Sequence, residues 1–374
     1  MGFLSFLKRE SPEIKVVLDI GTKAIKGLVL EEKKDKVFLR GMAKEYYDEY
    51  RPFFTLFFEK EILKTAFLSV ISQLEKNIKG ERVSLILNLG PTFSICKIKW
   101  ISQKREKPRI SISQKEKREI LKKIEEKAKK EILREFSFKR GILAKDLQIL
   151  DFKILEEKID GYLVPDIQGY KGERIEVKVF LIFGLRDYLN FFVSPSFISN
   201  QIKSKRLIIS CQINGLLYFL SRFKLEGFFL DVGGKITQIL KAKNGKLKEV
   251  AEISVGGEDF SKEIVENLGI SEKDARILKE RYSERKISED CRQRIKEFLE
   301  IPLKNWLNEI KEVLKESNKE VSKIFLFGGG SLLPEIKESL ENENFEVDFL
   351  KIPDFNLPCQ FLPCILSYYG TKSF

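Results

Sequence analysis

Two distant stretches of the chain share one pattern of apolar and polar positions. KVVLDIGTKAIKGLVLEE, from Lys15, places two apolar runs around a glycine turn, which predicts a β-hairpin with Asp19, Gly21 and Thr22 at its tip. GFFLDVGGKITQILKAKNGKLKEVAEI, from Gly227, repeats the unit and continues through an Asn244-Gly245 turn into a third strand. A supersecondary unit repeated at about half the chain length predicts duplicated lobes that face one another.

Between the hairpins, residues 83–183 read as a distinct module. It comprises the strand VSLILNLG, a charged helix from Gln114 to about Phe136, and the strands LQILDFKIL and RIEVKVFLIF, with Lys104 to Ser113 as an exposed loop. FISNQI then leads to the strand LIIS and a helix from Gln212 to about Phe223. From Gly256 the periodicity turns helical: DFSKEIVENLG, EKDARILKERYS, and an amphipathic stretch from Glu289 to about Lys319 that Pro302 breaks. KIFLFGGG reads as a strand opening onto Ser331 and the helix LPEIKESLENE, and QFLPCILSYYG as a last apolar helix.

The length of 374 residues agrees with two lobes rather than one core. No apolar run approaches the roughly 20 residues of a membrane span. Lys and Arg number 68 against 56 acids, a net +12 that would suit nucleic acid, anionic lipid or an acidic partner. Lysines alternate with glutamates from Lys115 to Lys130, however, so most of the surplus reads as solvated helix surface. No aromatic-spaced basic motif appears, and nucleic acid is not an expected partner. The cysteines (Cys96, Cys211, Cys291, Cys359, Cys364) are scattered and histidine is absent, which excludes mixed zinc sites and imidazole-dependent nucleophiles. Reduced thiols in a cytoplasmic protein are expected, with chemistry left to carboxylates, amides, lysines or a metal. Phe3, Leu4, Phe6 and Leu7 precede Lys8 and Arg9 in a run too short for a secretory signal, and this leaves a short membrane-surface anchor or a simple tail as readings.

Three glycine-bearing turns, near Asp19, Asp231 and Gly328, each follow an apolar strand, where small residues let backbone N–H groups approach phosphate oxygens. One such turn is ordinary hairpin chemistry. The ordered set LDIGTKAIKGLVL, LDVGGKITQIL and IFLFGGGSLLPEI resembles the two phosphate loops and the adenosine loop of the actin, Hsp70 and sugar-kinase superfamily. The resemblance implies an α/β fold, an actin/Hsp70-like (ribonuclease H-like) two-lobed ATPase with an inserted α+β subdomain in the first lobe. It implies ATP with Mg2+ as cofactors. Asp19 and Asp231 would hold Mg2+ through water, and Gly21, Thr22, Lys26, Gly233 and Gly234 would contact phosphates. Gly256, Gly257, Lys279, Glu280, Gly328, Gly329, Gly330 and Ser331 would complete the nucleotide site. Asn214 matches the position of a water-orienting glutamine, and an amide there permits slow hydrolysis at most.

Over Lys15 to Gly370 the chain most resembles the bacterial cell-division family FtsA. This rests on DIGTKAIKGLVL, on the GGEDFSKEI to KERYS block, on FLFGGGSLLPEI, and on KIDGYLVPDIQGYKGERIEVKVFLIF at the end of an SHS2-type subdomain. The related pilus-assembly family PilM is the rival, and a small-molecule kinase the distant one. The FtsA resemblance implies a polymer-forming divisome protein with the FtsZ C-terminal tail, other division proteins and its own copies as partners, and an anionic membrane surface within reach. Two departures stand out. The family's C-terminal linker and basic amphipathic helix have no counterpart up to Phe374, and VPDIQGYKG lacks the usual Asn-Pro-x-Gly. The implied division is a tail (1–13), first-lobe core (14–82), inserted subdomain (83–183), return to the first lobe (184–222), second-lobe core (223–256), helical subdomain (257–319), second-lobe core with the adenosine loop (320–350) and a C-terminal segment back on the first lobe (351–374).

Overall fold

Strand β1 (Glu13–Ile20) turns at Gly21 into β2 (Ala24–Lys33), and a further antiparallel strand, β3 (Lys36–Tyr46), follows. Helix α1 (Lys60–Ile78) leads to β4 (Val83–Leu89), which lies parallel to β1. The chain continues through β5 (Ser94–Lys104), α2 (Gln114–Arg140), β6 (Leu147–Ile159), β7 (Tyr162–Val164), β8 (Arg174–Leu185) and α3 (Arg186–Phe192). It returns in β9 (Ser204–Ser210) and α4 (Gln212–Phe223), and enters a second sheet with β10 (Gly227–Val232), β11 (Thr237–Lys243) and β12 (Lys246–Ile253). Helices α5 (Gly257–Leu268), α6 (Glu272–Ser283) and α7 (Glu289–Glu316) precede β13 (Lys323–Phe327), α8 (Pro334–Asn342), β14 (Glu346–Phe349) and α9 (Leu362–Tyr369). This computed structural model describes residues 13–34, 36–47, 60–78, 80–140, 142–194, 204–316 and 322–372. The apolar run from Phe3 to Leu7 and the FISNQI segment therefore lie outside the described residues.

The two main sheets have one topology. The first has the order β3-β2-β1-β4-β9 and the second β12-β11-β10-β13-β14, each with an antiparallel hairpin followed by parallel strands. Their central strands read as continuous apolar runs because both faces are covered. On the outer face of the first sheet, α1 buries Leu63, Phe67, Val70 and Leu74 at helical spacing. On the outer face of the second, Ile295, Leu299, Trp306 and Ile310 of α7 join Phe260 and Ile336. Helices α4 and α9 sit between the sheets, in one core that includes Val17 and Ile86 of the first and Phe229, Leu240 and Phe327 of the second.

The third sheet, β5-β8-β6-β7, carries α2 on one face and forms the inserted α+β module. Here the structure corrects several expectations. VSLILNLG does not open the module: it pairs with β1 and β9 in the first-lobe sheet, since a strand apolar on both faces needs a covered central position. The module's own first strand, β5, was not foreseen, because its alternation is interrupted by Lys and Ser. Lys104 to Ser113 is less open than expected. Arg105 is buried there and donates to Glu116, the Gly172 carbonyl and the Ile110 carbonyl, fastening the loop to the sheet. Pro302 does not break its helix either, as α7 runs through it. It lies on the buried face with Leu299 and Trp306, whose packing outweighs one lost backbone bond.

Candidate functional site

Both hairpin tips close in the same way. The Gly21 N–H donates to the Ala24 carbonyl at 3.1 Å, and the Gly233 N–H to the Ile236 carbonyl at 3.0 Å. Each turn presents a buried aspartate two residues before its glycine, Asp19 on β1 and Asp231 on β10. The tips meet, since the Lys235 N–H donates to Thr22 Oγ1 at 3.1 Å and a Cβ on Gly234 would lie 2.6 Å from that oxygen. Lys23 reaches across to Glu258 at 3.6 Å and Glu272 at 3.5 Å.

A chain of hydrogen bonds runs from one aspartate to the other. Lys26 Nζ lies 2.6 Å from Asp19 Oδ2, and Asn88 Nδ2 donates to Asp19 Oδ1 at 2.7 Å. Asn88 Oδ1 in turn accepts from the backbone N–H of Gln212 at 2.9 Å, and Gln212 Nε2 donates to Asp231 Oδ2 at 2.6 Å. Burial works against charge on Lys26, but the adjacent Asp19 outweighs it and holds the ammonium above the ordinary lysine value. Among the described residues no cation contacts Asp231. Burial pushes its carboxyl up to about 6, against the pull of the Gln212 amide and the more distant Lys26.

The two tips, the Gly328-Gly330 turn after β13, the first turn of α5 and the later turns of α6, from Arg276 to Ser283, enclose a cavity of about 470 Å3, within the range of small-molecule sites. Of the residues expected at a nucleotide site, Asp19, Gly21, Thr22, Lys26, Gly233, Gly234, Gly257, Lys279, Glu280 and Gly328 to Gly330 line it, together with Asp231. Gly256 and Ser331 stand behind the wall. The Gly256 N–H donates to Asp259 Oδ2, and Ser331 Oγ donates to the Gly328 carbonyl. Lys279 donates to the Gly257 carbonyl, and burial lowers its pKa to about 8, helped by the charge of Lys23. Glu280 accepts from Tyr46 of β3, whose ring lies 3.7 Å below the Arg276 guanidinium, a contact that joins the two lobes across the mouth.

The glycines differ in what they require. Gly328 has φ +86° and a Cβ there would fall 2.2 Å from Asp231 Oδ1, so the protein itself demands glycine. Gly329 has ordinary φ, and its nearest neighbour would be 3.9 Å away, so the space above it is open. That opening suits a ligand brought against the backbone.

Asn214 is not at the cavity. Its Nδ2 donates to Asp151 of the inserted module at 2.8 Å, facing away from Asp231. On α4, residues two apart point to opposite sides, and Gln212 occupies the place that counting along the sequence gave to Asn214. Sequence reading also missed Asn88, Lys44, Tyr46 and Arg276. Asn88 carried a usable signal, a lone amide inside the otherwise largely apolar run VSLILNLG; the others carried none.

The fold and part of the sequence have known counterparts. The family model described as "Cell division protein FtsA" matches residues 228–361. A solved structure titled "PilM-PilN type IV pilus biogenesis complex" is similar over 96% of this chain and 99% of that one, with TM-score 0.66 and 17% identity. The ethanolamine utilization protein EutJ from Carboxydothermus hydrogenoformans matches over 96% of this chain and 88% of that one, with TM-score 0.50 and 12% identity. No curated protein sequence matches. The chain thus has the actin-like ATPase fold and carries, over residues 228–361, a segment that matches the FtsA family.

Proposed function

We propose that the chain binds ATP with Mg2+ in the cavity between the lobes and uses the bound nucleotide to set lobe closure, and through it assembly with protein partners. The observation that carries this reading is the pairing of two buried aspartates at the tips of duplicated hairpins, one in contact with Lys26 and the other in contact with no cation among the described residues. Among the described residues no cluster of three or more His, Cys, Asp or Glu forms a ready-made metal cage. That donor set fits Mg2+, which keeps waters and takes one or two carboxylates together with substrate phosphates. Asp231, with Asp19 across the cleft, would hold the ion through water. Gly21, Gly233, Gly234 and the open backbone at Gly329 would receive phosphate and nucleoside, and Mg2+ would neutralise phosphate charge. Gln212, rather than Asn214, is the amide placed to orient water. Because it cannot abstract a proton, hydrolysis is slow at most.

The partner class has two readings. Likeness over nearly the whole length to the PilM structure supports a cytoplasmic role in pilus assembly. The FtsA match over residues 228–361 supports a divisome role with the FtsZ tail and filaments of this chain, peripheral to the membrane. Titration calorimetry with ATP and Mg2+ tests the common core: intact protein should bind, and Asp231→Asn should weaken Mg2+-dependent binding at least about tenfold, a loss of roughly 1.4 kcal/mol. No heat from the intact chain sinks the reading.

A further inference from the structure

The strand β6 of the inserted module contains two bulges, and each redirects a carboxylate. Ile149 opposes Phe183 on the face covered by α2, but the register then slips so that Asp151 opposes Ile182 on the other face. Without the extra residue, Asp151 would oppose Leu181 and point towards α2. The bulge instead aims it at α4, where it accepts from Asn214 Nδ2. A second slip, after Ile154, sets Glu156 opposite Lys178, again on the face away from α2. Glu156 Oε1 lies 2.7 Å from Lys248 Nζ on β12, the edge strand of the second lobe, and 3.6 Å from Lys178 Nζ. Its side chain is only 8% exposed, so the pair is not an ordinary surface contact.

One carboxylate therefore ties the module to the first lobe, at a residue two positions along α4 from Gln212, whose amide touches Asp231, and the other grips the second lobe. We infer that the inserted module is a closure sensor: fixed to α4 through Asp151–Asn214, it latches onto β12 through Glu156–Lys248 when the lobes close, so cleft occupancy and module position are coupled. The inference rests on the nucleotide reading above. Coupling of this kind needs an element with two arrangements that both sites bias, and the latch spans the two parts that closure moves.

The molecule carries its own reporter. Trp100 of β5 lies opposite Lys178, with Lys158 Nζ 4.4 Å and Lys178 Nζ 5.8 Å from its ring, so a change at Glu156 alters the cations beside the indole. The test is to titrate ATP and Mg2+ into the intact protein, Lys248→Ala, Glu156→Ala and the double variant, following calorimetric heat and tryptophan emission, with Trp100→Phe as the control. Each single variant should weaken ATP about fivefold, and the double variant no further. The ATP-induced emission change should be present in the intact protein, absent in Trp100→Phe and lost in the latch variants. If the variants bind ATP as the intact chain does, or the double variant shows additive losses, the latch is wrong although the nucleotide site stands. If the intact chain gives no heat at all, the nucleotide reading itself fails and the sensor with it. Asp151→Ala, which leaves the latch residues untouched, should also blunt the emission change; an unchanged response would remove the first-lobe tie.

Discussion

The two aspartate hairpins have the same geometry and opposite electrostatics. Asp19 pairs in register with Lys26 on β2 and with Asn88 on β4, so its charge is neutralised and its second oxygen accepts an amide. Asp231 occupies the same place in the second sheet, but its register partners are Gln238 on β11 and Phe327 on β13. A lysine has become a glutamine and an amide has become a phenyl ring. Gln212, arriving from α4, supplies an amide contact instead. The duplicated fold thus sets both carboxylates against one cavity. Two neighbouring side chains decide that one carboxylate has a cation in contact and the other, among the described residues, has none.

The largest effect expected from breaking this asymmetry lies on the first side. Lys26→Ala leaves Asp19 buried without its counter-charge and should cost about 3–5 kcal/mol of stability. Gln238→Ala, at the matching position, should cost about 1 kcal/mol, the worth of a hydrogen bond. Chemical denaturation of the two variants side by side measures the contrast, and equal losses would refute it.

Next in size is the difference between adjacent glycines. Gly328→Ala forces a left-handed backbone and a clash with Asp231, and should lose about 1–3 kcal/mol or more. Gly329→Ala should change stability by no more than about 0.5 kcal/mol and yet weaken ATP binding, because its Cβ enters open space on the cavity side. Thermal melts paired with calorimetry separate the two. If Gly329→Ala bound ATP normally, the open backbone there would not be a ligand cradle.

The smallest effect is in pH. The Asp231 carboxyl has its pKa raised by burial to about 6, above the roughly 3.9 of an unfolded aspartate. Between these values the folded state holds the extra proton, so this group's contribution to stability falls as pH rises from about 4 to 6 and stays reduced above that. Holding a cation needs the ionised form, so ATP affinity in Mg2+ should rise as pH climbs from 5 to 7, by up to about tenfold. Gln238→Lys, which gives Asp231 the partner that Asp19 has, should flatten that rise. A profile equally steep in the variant would assign the titration to another group.

Much of this was legible in the sequence because it is local. The Asp-x-Gly turns, the Asn244-Gly245 turn with both residues at positive φ, and the three-helix run after Gly256 depend on patterns within a few residues. The strand Val83–Leu89 was legible as a strand but not as a member of the first sheet, since its partners β1 and β9 are far away along the chain. Asn214 was misplaced for a similar reason. Counting along the chain fixes a helical residue to within a turn, but which side faces Asp231 depends on how α4 is rotated between the two sheets.

By itself the sequence determined most of the elements, the duplicated hairpins and, at the cavity, both aspartates, Lys26 and the glycine turns, because hydrophobic period and glycine turns act over short range. Only the tertiary structure decided which aspartate is neutralised, that Gln212 rather than Asn214 meets Asp231, and that two bulges in β6 turn Asp151 and Glu156 towards opposite lobes. Those outcomes depend on strand register and helix rotation, which are set by packing between segments hundreds of residues apart in some cases, as Lys44 and Gln360 are at the mouth of the cavity. Such contacts leave no periodic trace in the chain that makes them.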